Sequence, residues 1–146
     1  MTTLKVKQLA NKKGLNILED SIEINESGVD FQVAHVKEQN GDKWILRIPR
    51  RPESMRHVQR EKKALELMKK HVVPNWSIFS EELIAYKQLS GFPAATIDIE
   101  QQRYVWNFNE KNVPIEYYIS LGKVLANVHS LPQQKFNNIG VEILTA

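Results

Sequence analysis

The dipeptide Asn40-Gly41 constrains the fold of this chain more than any other feature. These two residues tolerate the positive backbone angles of a tight turn, and apolar residues alternate with polar ones on both sides of them. Residues 29–35 and 43–48 are therefore predicted to pair as antiparallel strands. A shorter alternating segment, Ser21–Asn25, precedes them, so the sequence predicts a three-stranded meander.

Hydrophobic periodicity and proline or glycine breaks locate the other elements. In chain order we predict a helix capped by Thr2 or Thr3 that ends near Gly14, a helix over Glu53–Lys70, strands over Trp76–Phe79 and Leu83–Lys87, a hairpin of Thr96–Ile99 with Arg103–Phe108, and a helix over Ile115–Ser130. The pattern indicates an α+β fold. A five-stranded antiparallel sheet with the Glu53–Lys70 helix forms a small lobe over residues 1–91, and residues 92–146 begin a second lobe.

The helix over Ile115–Ser130 is apolar over a wide part of its surface. One stripe and its flanks consist of Tyr117, Tyr118, Ile119, Leu121, Gly122, Val124, Leu125 and Val128. Such a surface is typical of a helix inside a helical layer. The sheet, a second copy of the chain, or a layer that these residues do not contain can cover it, and we favour the third.

The composition sets few limits on function. The 146 residues carry a net charge of +3, which gives no strong tendency to bind polyanions. The chain contains no cysteine, which fits a reducing compartment. Its first residues do not resemble a signal peptide, and no apolar stretch is long enough to span a bilayer. We expect a cytoplasmic protein without membrane or nucleic-acid partners.

Arg47 and Glu61 are the most informative candidate pair. Arg47 follows Ile45 on the same face of a predicted strand. Glu61 shares a helix face with Val58 and Leu65, where a carboxylate is costly unless a cation meets it. A strand cation held by a helix carboxylate can bind nucleotide phosphates, as in the small lobe of a kinase. The alternative is a structural salt bridge without a ligand.

Ser27 and Gly28 form a turn before the second strand. Backbone N–H groups and a serine hydroxyl in such a turn can face phosphate oxygens, although an ordinary hairpin explains a single Ser-Gly equally well. The order of the elements favours the phosphate reading, because the turn is followed by two strands, the second bearing the cation, and then by the helix with its carboxylate.

Other polar residues give weaker signals. Basic residues crowd the region from Arg47 to Lys70, but glutamates interrupt them as on a solvated helix face, so nucleic-acid binding is a minor alternative. The four histidines lack metal-ligand spacing. Asp98 lies between two isoleucines but precedes the last helix, which favours a strand or turn role over metal binding.

Four segments together resemble the macrolide 2′-phosphotransferases, a group of aminoglycoside-phosphotransferase-like small-molecule kinases. They are residues 25–32 (NESGVDFQ), 44–51 (WILRIPRR), 82–87 (ELIAYK) and 120–130 (SLGKVLANVHS). The resemblance covers nearly the whole chain up to Pro132. It implies a bilobal kinase-like fold and transfer of the GTP γ-phosphoryl group, with magnesium, to a sugar hydroxyl of a macrolide antibiotic.

The resemblance also implies roles for individual residues. Ser27 and Gly28 would lie over the phosphates, and Arg47, near Ile45, would contact them while Glu61 orients it. The hinge that meets the guanine edge would consist of Ile84, Ala85, Tyr86 and Lys87. The family's catalytic sequence His-Gly-Asp and its later metal-binding aspartate have no match here, so we assign no catalytic residue and no metal ligand.

We therefore interpret the chain as the small lobe and first large-lobe helix of such a kinase, which binds a macrolide only if the remaining lobe is present. Turnover of GTP and erythromycin by these residues alone would contradict that incompleteness. The alternatives are another small-molecule kinase of the same group, a non-catalytic nucleotide-binding remnant, or an interaction protein that dimerises through residues 115–130.

Overall fold

The computed structural model describes residues 2–69, 73–98, 100–109 and 111–137. They form two compact units, one made of residues 2–89 with 134–137 and the other of Ser90–Gln133. The helices are α1 (Thr3–Lys12), α2 (Val58–Leu67), α3 (Ile115–His129) and α4 (Gln133–Asn137). The strands are β1 (Glu23–Asn25), β2 (Phe31–Lys37), β3 (Lys43–Pro49), β4 (Trp76–Phe79), β5 (Ile84–Lys87), β6 (Ala95–Asp98) and β7 (Arg103–Trp106).

The first unit is built on a five-stranded sheet in the order β1-β2-β3-β5-β4. All neighbouring strands are antiparallel. Gly41 closes the β2–β3 turn with a φ of +91°, and the N–H of Glu38 donates to the carbonyl of Asp42 at 2.8 Å. The predicted meander and the α+β class are confirmed.

One face of the sheet forms the core with α1. Val6 and Ala10 of that helix are fully buried in one cluster with Ala34, Leu46 and Ala85 of three strands. The predicted helix is confirmed, with the Thr2 side chain accepting from the Lys5 N–H at 3.5 Å as its N-cap. Its place as the main cover of the sheet was not predicted.

The first two strands begin later than the alternation predicts. Ser21 lies in a 3₁₀ turn instead of β1, where its hydroxyl donates to the Leu18 carbonyl at 2.7 Å and accepts from the Lys37 N–H at 2.8 Å. The side chain thus replaces a backbone partner of β2. Val29 is 78% exposed and precedes β2, because the chain is still in the β1–β2 loop at that point.

The single helix predicted over Glu53–Lys70 is wrong in its bounds. Pro52–Met55 forms a 3₁₀ helix, and α2 begins only at Val58. The hydrogen bonds of the first segment join residues three apart, as the Arg56 N–H does when it donates to the Glu53 carbonyl at 3.0 Å. This is the spacing of a 3₁₀ helix and not of an α-helix, and the two segments are separate. Helix α2 ends at Leu67, and Lys70 lies outside the described residues.

The second unit contains the predicted hairpin. β6 and β7 pair antiparallel, and the Asp98 carboxylate accepts from the Gln101 N–H at 3.0 Å, which makes it a turn aspartate as expected. Phe108 lies beyond β7, and Ile99 is outside the described residues. Ring contacts then run from Trp106 through Phe108 to Tyr117 of α3, with centroids 5.5 and 5.3 Å apart.

Helix α3 agrees with the predicted helix to within one residue. In the part of the chain that the structure describes, this helix has no buried residue, and Ile115, Tyr118 and Leu125 are about half exposed or more. The apolar surface predicted for it is therefore present, and the other described residues of its own unit leave it exposed. Among the described helices, none combines the length and the apolar character needed to cross a bilayer.

Candidate functional site

Arg47 and Glu61 meet as predicted, through two parallel hydrogen bonds. Nη1 of Arg47 lies 2.6 Å from Oε1 of Glu61, and Nη2 lies 3.2 Å from Oε2. The arginine side chain is 19% exposed and the glutamate side chain 42%. Glu61 is therefore exposed at the edge of the sheet face, where its carboxylate orients the partly buried guanidinium of Arg47.

Two aromatic rings hold the Arg47 guanidinium from its faces. The Phe31 centroid is 4.5 Å from its central carbon, and the Trp76 centroid is 5.5 Å away. A planar cation over aromatic faces is attracted by the ring quadrupoles. Sequence reasoning missed both rings. The alternation of β2 does predict that Phe31 lies on the same face as Val33, and Val33 is the β2 residue opposite Arg47.

The strand register places the remaining predicted residues on the same face. Arg47 is opposite Ile84 of β5, and Ile45 is opposite Tyr86, so these four side chains share one side of the sheet. Ile45 and Ile84 are buried. Burial raises the pKa of the Tyr86 hydroxyl; the Arg47 charge opposes that rise and the Glu61 charge adds to it. This face is called the site face from here on.

Ser27 and Gly28 lie in the β1–β2 loop, residues 26–30. Both the N–H and the hydroxyl of Ser27 donate to the Asn25 side-chain oxygen, at 2.9 and 2.6 Å. A phosphate contact from these donors would therefore replace Asn25 as the acceptor. At Gly28 a Cβ would lie 2.4 Å from the Phe31 carbonyl oxygen, so only glycine fits without a shift of the backbone.

Arg50, which follows β3, holds this loop. Its Nε donates to the Gly28 carbonyl and its Nη2 to the Glu26 carbonyl, each at 2.9 Å, and Nη2 also contacts the Glu26 carboxylate. That carboxylate also accepts from the Gln32 amide. The hydrogen bond from Arg50 lowers the pKa of the Glu26 carboxyl, although desolvation opposes it. Sequence reasoning counted Arg50 only as part of a basic run.

The predicted hinge needs correction. Ile84, Ala85 and Tyr86 are each flanked by partners in β3 and in β4, so their backbone groups lie inside the sheet. A purine edge cannot reach a backbone that is paired on both sides. Lys87 pairs with Trp44 of β3 and lies past the end of β4, which makes it the first residue of β5 with an open side.

Two other charged groups of the basic region are also engaged. Arg51 contacts Asp30 at 3.1 Å, and the Lys62 ammonium lies 4.4 Å from the Phe79 ring centroid. This pattern agrees with a salt-bridged surface. Among the residues that the structure describes, no group of three or more histidine, aspartate or glutamate side chains could hold a metal ion.

Comparison with known proteins identifies relatives of this chain. The family model of the phosphotransferase enzyme family (APH) matches residues 21–145. The uncharacterized protein YcbJ of Bacillus subtilis (strain 168) is 36% identical over 154 residues, which is 99% of this chain and 50% of YcbJ. The chain therefore spans about half the length of that relative.

Two solved structures of similar fold are macrolide 2′-phosphotransferases. The apoenzyme of MphH from Brachybacterium faecium has a TM-score of 0.88 at 31% identity, over 96% of this chain and 47% of that protein. A macrolide 2′-phosphotransferase type I has a TM-score of 0.75 at 28% identity, over 99% of this chain and 49% of that protein. The matched half of each contains the kinase-like sheet described above.

Proposed function

Because the chain belongs to the phosphotransferase enzyme family, we propose that it forms the nucleotide-binding lobe of a kinase that transfers the γ-phosphoryl group of GTP to the 2′-hydroxyl of a macrolide antibiotic. Modification of that hydroxyl would give antibiotic resistance. The reaction would take place in the cytoplasm, where nucleoside triphosphates are made. Another small-molecule acceptor of the same group would use the same lobe.

The Arg47–Glu61 pair is the observation that carries this proposal. Glu61 takes only one N–H from each of two guanidinium nitrogens, and a guanidinium has further N–H donors. Those donors can contact phosphate oxygens while the carboxylate and the rings of Phe31 and Trp76 fix the plane of the cation. A positioned cation stabilises the charge that a transferring phosphoryl group carries.

Other groups of the site face support the same ligand. Ile45 and Ile84 form the buried apolar base of the face, the partly buried ring of Tyr86 is suited to contact a nucleotide base, and the β1–β2 loop stands at one end of it. GTP, when bound, would supply the phosphoryl group. No magnesium ligand is assigned to these residues, and no step is routed through the metal. The macrolide, likewise, belongs to the proposed whole enzyme and not to these residues.

Nucleotide titration tests the proposal. We expect the purified chain to quench or enhance the fluorescence of a methylanthraniloyl-labelled GTP, with GTP competing better than ATP. Arg47→Met should weaken binding by about tenfold, because loss of a charge-assisted phosphate contact costs about 1.4 kcal/mol. Arg60→Met is the matched control, since Arg60 is exposed on α2, and it should change affinity less than about twofold.

Three outcomes would count against the proposal. Absence of GTP and ATP binding would overturn the nucleotide role, and equal losses in the two variants would reduce it to long-range attraction. Preference for ATP would overturn the choice of GTP alone. A chain of these 146 residues should also fail to phosphorylate erythromycin, because its sequence contains no His-Gly-Asp.

A second candidate function is self-association as an interaction protein. The exposed apolar surface of α3, with Ile119 50% and Val124 55% exposed, favours it. The residues of this surface are different from those of the site face, so substitutions can test the two functions separately.

A further inference from the structure

The geometry points to Arg50 as a positioning residue that holds the β1–β2 loop in the conformation needed to bind the nucleoside triphosphate. This inference rests on the proposed function. It concerns a residue beyond the strand cation and its carboxylate partner, and it assigns to the loop clamp, defined as the contacts of Arg50 with Glu26 and Gly28, the job of presenting Ser27 to the phosphates.

Arg50 engages several groups of the β1–β2 loop with one side chain. The Arg50 guanidinium binds the carbonyls on both sides of Ser27, at Glu26 and Gly28, both at 2.9 Å. The Arg50 backbone N–H adds a bond to the Asp30 carbonyl at 3.0 Å. Because the carbonyls point toward Arg50, the clamp keeps electronegative oxygens of the loop away from the phosphate oxygens they would repel.

The loop clamp also compensates the negative charge of Glu26. A carboxylate next to Ser27 would repel a triphosphate, but Arg50 and the buried Gln32 hold it from two sides. The clamp thus neutralises the only acidic side chain between Asn25 and Val29. Removing Arg50 would leave the same carboxylate without that cation beside the candidate phosphate position.

The clamped loop is connected to Arg47 through the chain and through Phe31. Arg47 and Arg50 both lie on or next to β3, three residues apart in sequence, and Phe31 at the start of β2 contacts the Arg47 guanidinium. The loop that Arg50 clamps leads directly into Phe31. One strand therefore sets both the phosphate-binding cation and the loop that would face it.

The experiment compares Arg50→Gln, Arg50→Lys and Arg51→Gln in the full chain. Arg51 is the matched control, because it carries the same charge next to Arg50 but its side chain is 58% exposed and bonds the Asp30 carboxylate instead of the two carbonyls that flank Ser27. We expect Arg50→Gln and Arg50→Lys to weaken GTP binding about tenfold, since lysine lacks the fork that binds two carbonyls. Arg51→Gln should stay within about twofold. Guanosine binding, followed by saturation-transfer NMR, should not change in any variant.

Hydrogen exchange without nucleotide gives an independent measurement. The amides of residues 27–29 should exchange faster in Arg50→Gln than in the unmodified chain, while those of β3 and β5 should not. Unaltered exchange or unaltered GTP affinity in Arg50→Gln would overturn the positioning role, as would unaltered GTP affinity in Arg50→Lys or an equal loss of guanosine binding. Failure of the unmodified chain to bind GTP would instead overturn the proposed function, and the positioning role with it.

Discussion

Arg47 shows why the identity of a single cation matters. The side chain donates two parallel hydrogen bonds to Glu61, and its guanidinium contacts the rings of Phe31 and Trp76. Only a planar, forked cation can satisfy both requirements, because an ammonium offers neither a plane to stack nor a fixed pair of donors. The protein kinases place a lysine on the corresponding strand, so the surroundings of this site are built for a different cation.

Arg47→Lys should therefore behave as a non-conservative substitution. We expect it to lower the free energy of unfolding by about 1 kcal/mol, through loss of one charge-assisted hydrogen bond and of the ring contacts. GTP affinity should fall by about tenfold even though the charge is kept. Urea denaturation and fluorescence titration measure the two effects. Arg60→Lys on α2 is the control, and an Arg47→Lys chain as stable as the original would contradict the account.

Gly28 gives a second prediction at this scale. A methyl group at this position would meet the Phe31 carbonyl, a backbone atom that cannot swing aside. Gly28→Ala should therefore shift the β1–β2 loop and lower the free energy of unfolding by about 1 kcal/mol or more.

The control for Gly28 has the opposite sign. Gly122 lies inside α3 with nothing within 4 Å of an added Cβ, so Gly122→Ala should not destabilise the chain and should raise helix stability by about 0.5–1 kcal/mol. Chemical denaturation followed by circular dichroism measures both variants. A Gly28→Ala chain that is no less stable than the original would show that the loop can relax at little cost.

At the scale of elements, the sequence predicted the pairing of β2 with β3 better than the bounds of α2. The Asn40-Gly41 turn and the alternation around it specify β2 and β3 because register follows directly from a period of two. The break between the 3₁₀ turn at Pro52 and α2 could not be predicted, since both segments have helical composition. Ser21 escaped for a related reason, because a hydroxyl in place of a ladder partner leaves no mark on the hydrophobic pattern.

The candidate site was predictable to the same extent. The Arg47–Glu61 contact follows from strand and helix periodicity, but the rings of Phe31 and Trp76 depend on which strands become neighbours. Strand order is a long-range property, and β5 lies between β3 and β4 against their order in the chain. That insertion also places Ile84–Tyr86, part of the hinge that the resemblance implies, between two strands of the sheet.

The packing of α1 can be tested with a matched pair on one helix. Val6 is fully buried against the sheet, whereas Leu4, two residues earlier, is 53% exposed. We expect Val6→Ala to lower the free energy of unfolding by about 2 kcal/mol, from lost burial and a residual cavity, and Leu4→Ala to change it by less than about 0.5 kcal/mol. Urea denaturation measures both. Equal effects would mean that α1 does not cover the core.

For the whole molecule, the decisive feature is an imbalance between its two units. The first unit has a buried core between α1 and the sheet, whereas among the described residues of the second unit α3 buries none of its side chains. An apolar helix surface of this kind marks a contact with another surface. Two kinds of surface can make this contact. The relatives are about twice as long as the matched region, so a segment like their unmatched half is one, and a second copy of the chain is the other.

Isolated chains should consequently self-associate through α3. Sedimentation velocity over a range of concentrations should show a reversible increase in mass, because Tyr118, Leu121 and Leu125 remain exposed to water in a single copy. Leu125→Asp should abolish the increase, since a carboxylate in an apolar contact loses its hydration without a partner. Lys123→Asp, an exposed charge reversal on the same helix, should leave it intact. A chain that stays monomeric at every concentration would exclude the second copy and leave α3 as a surface for another polypeptide segment.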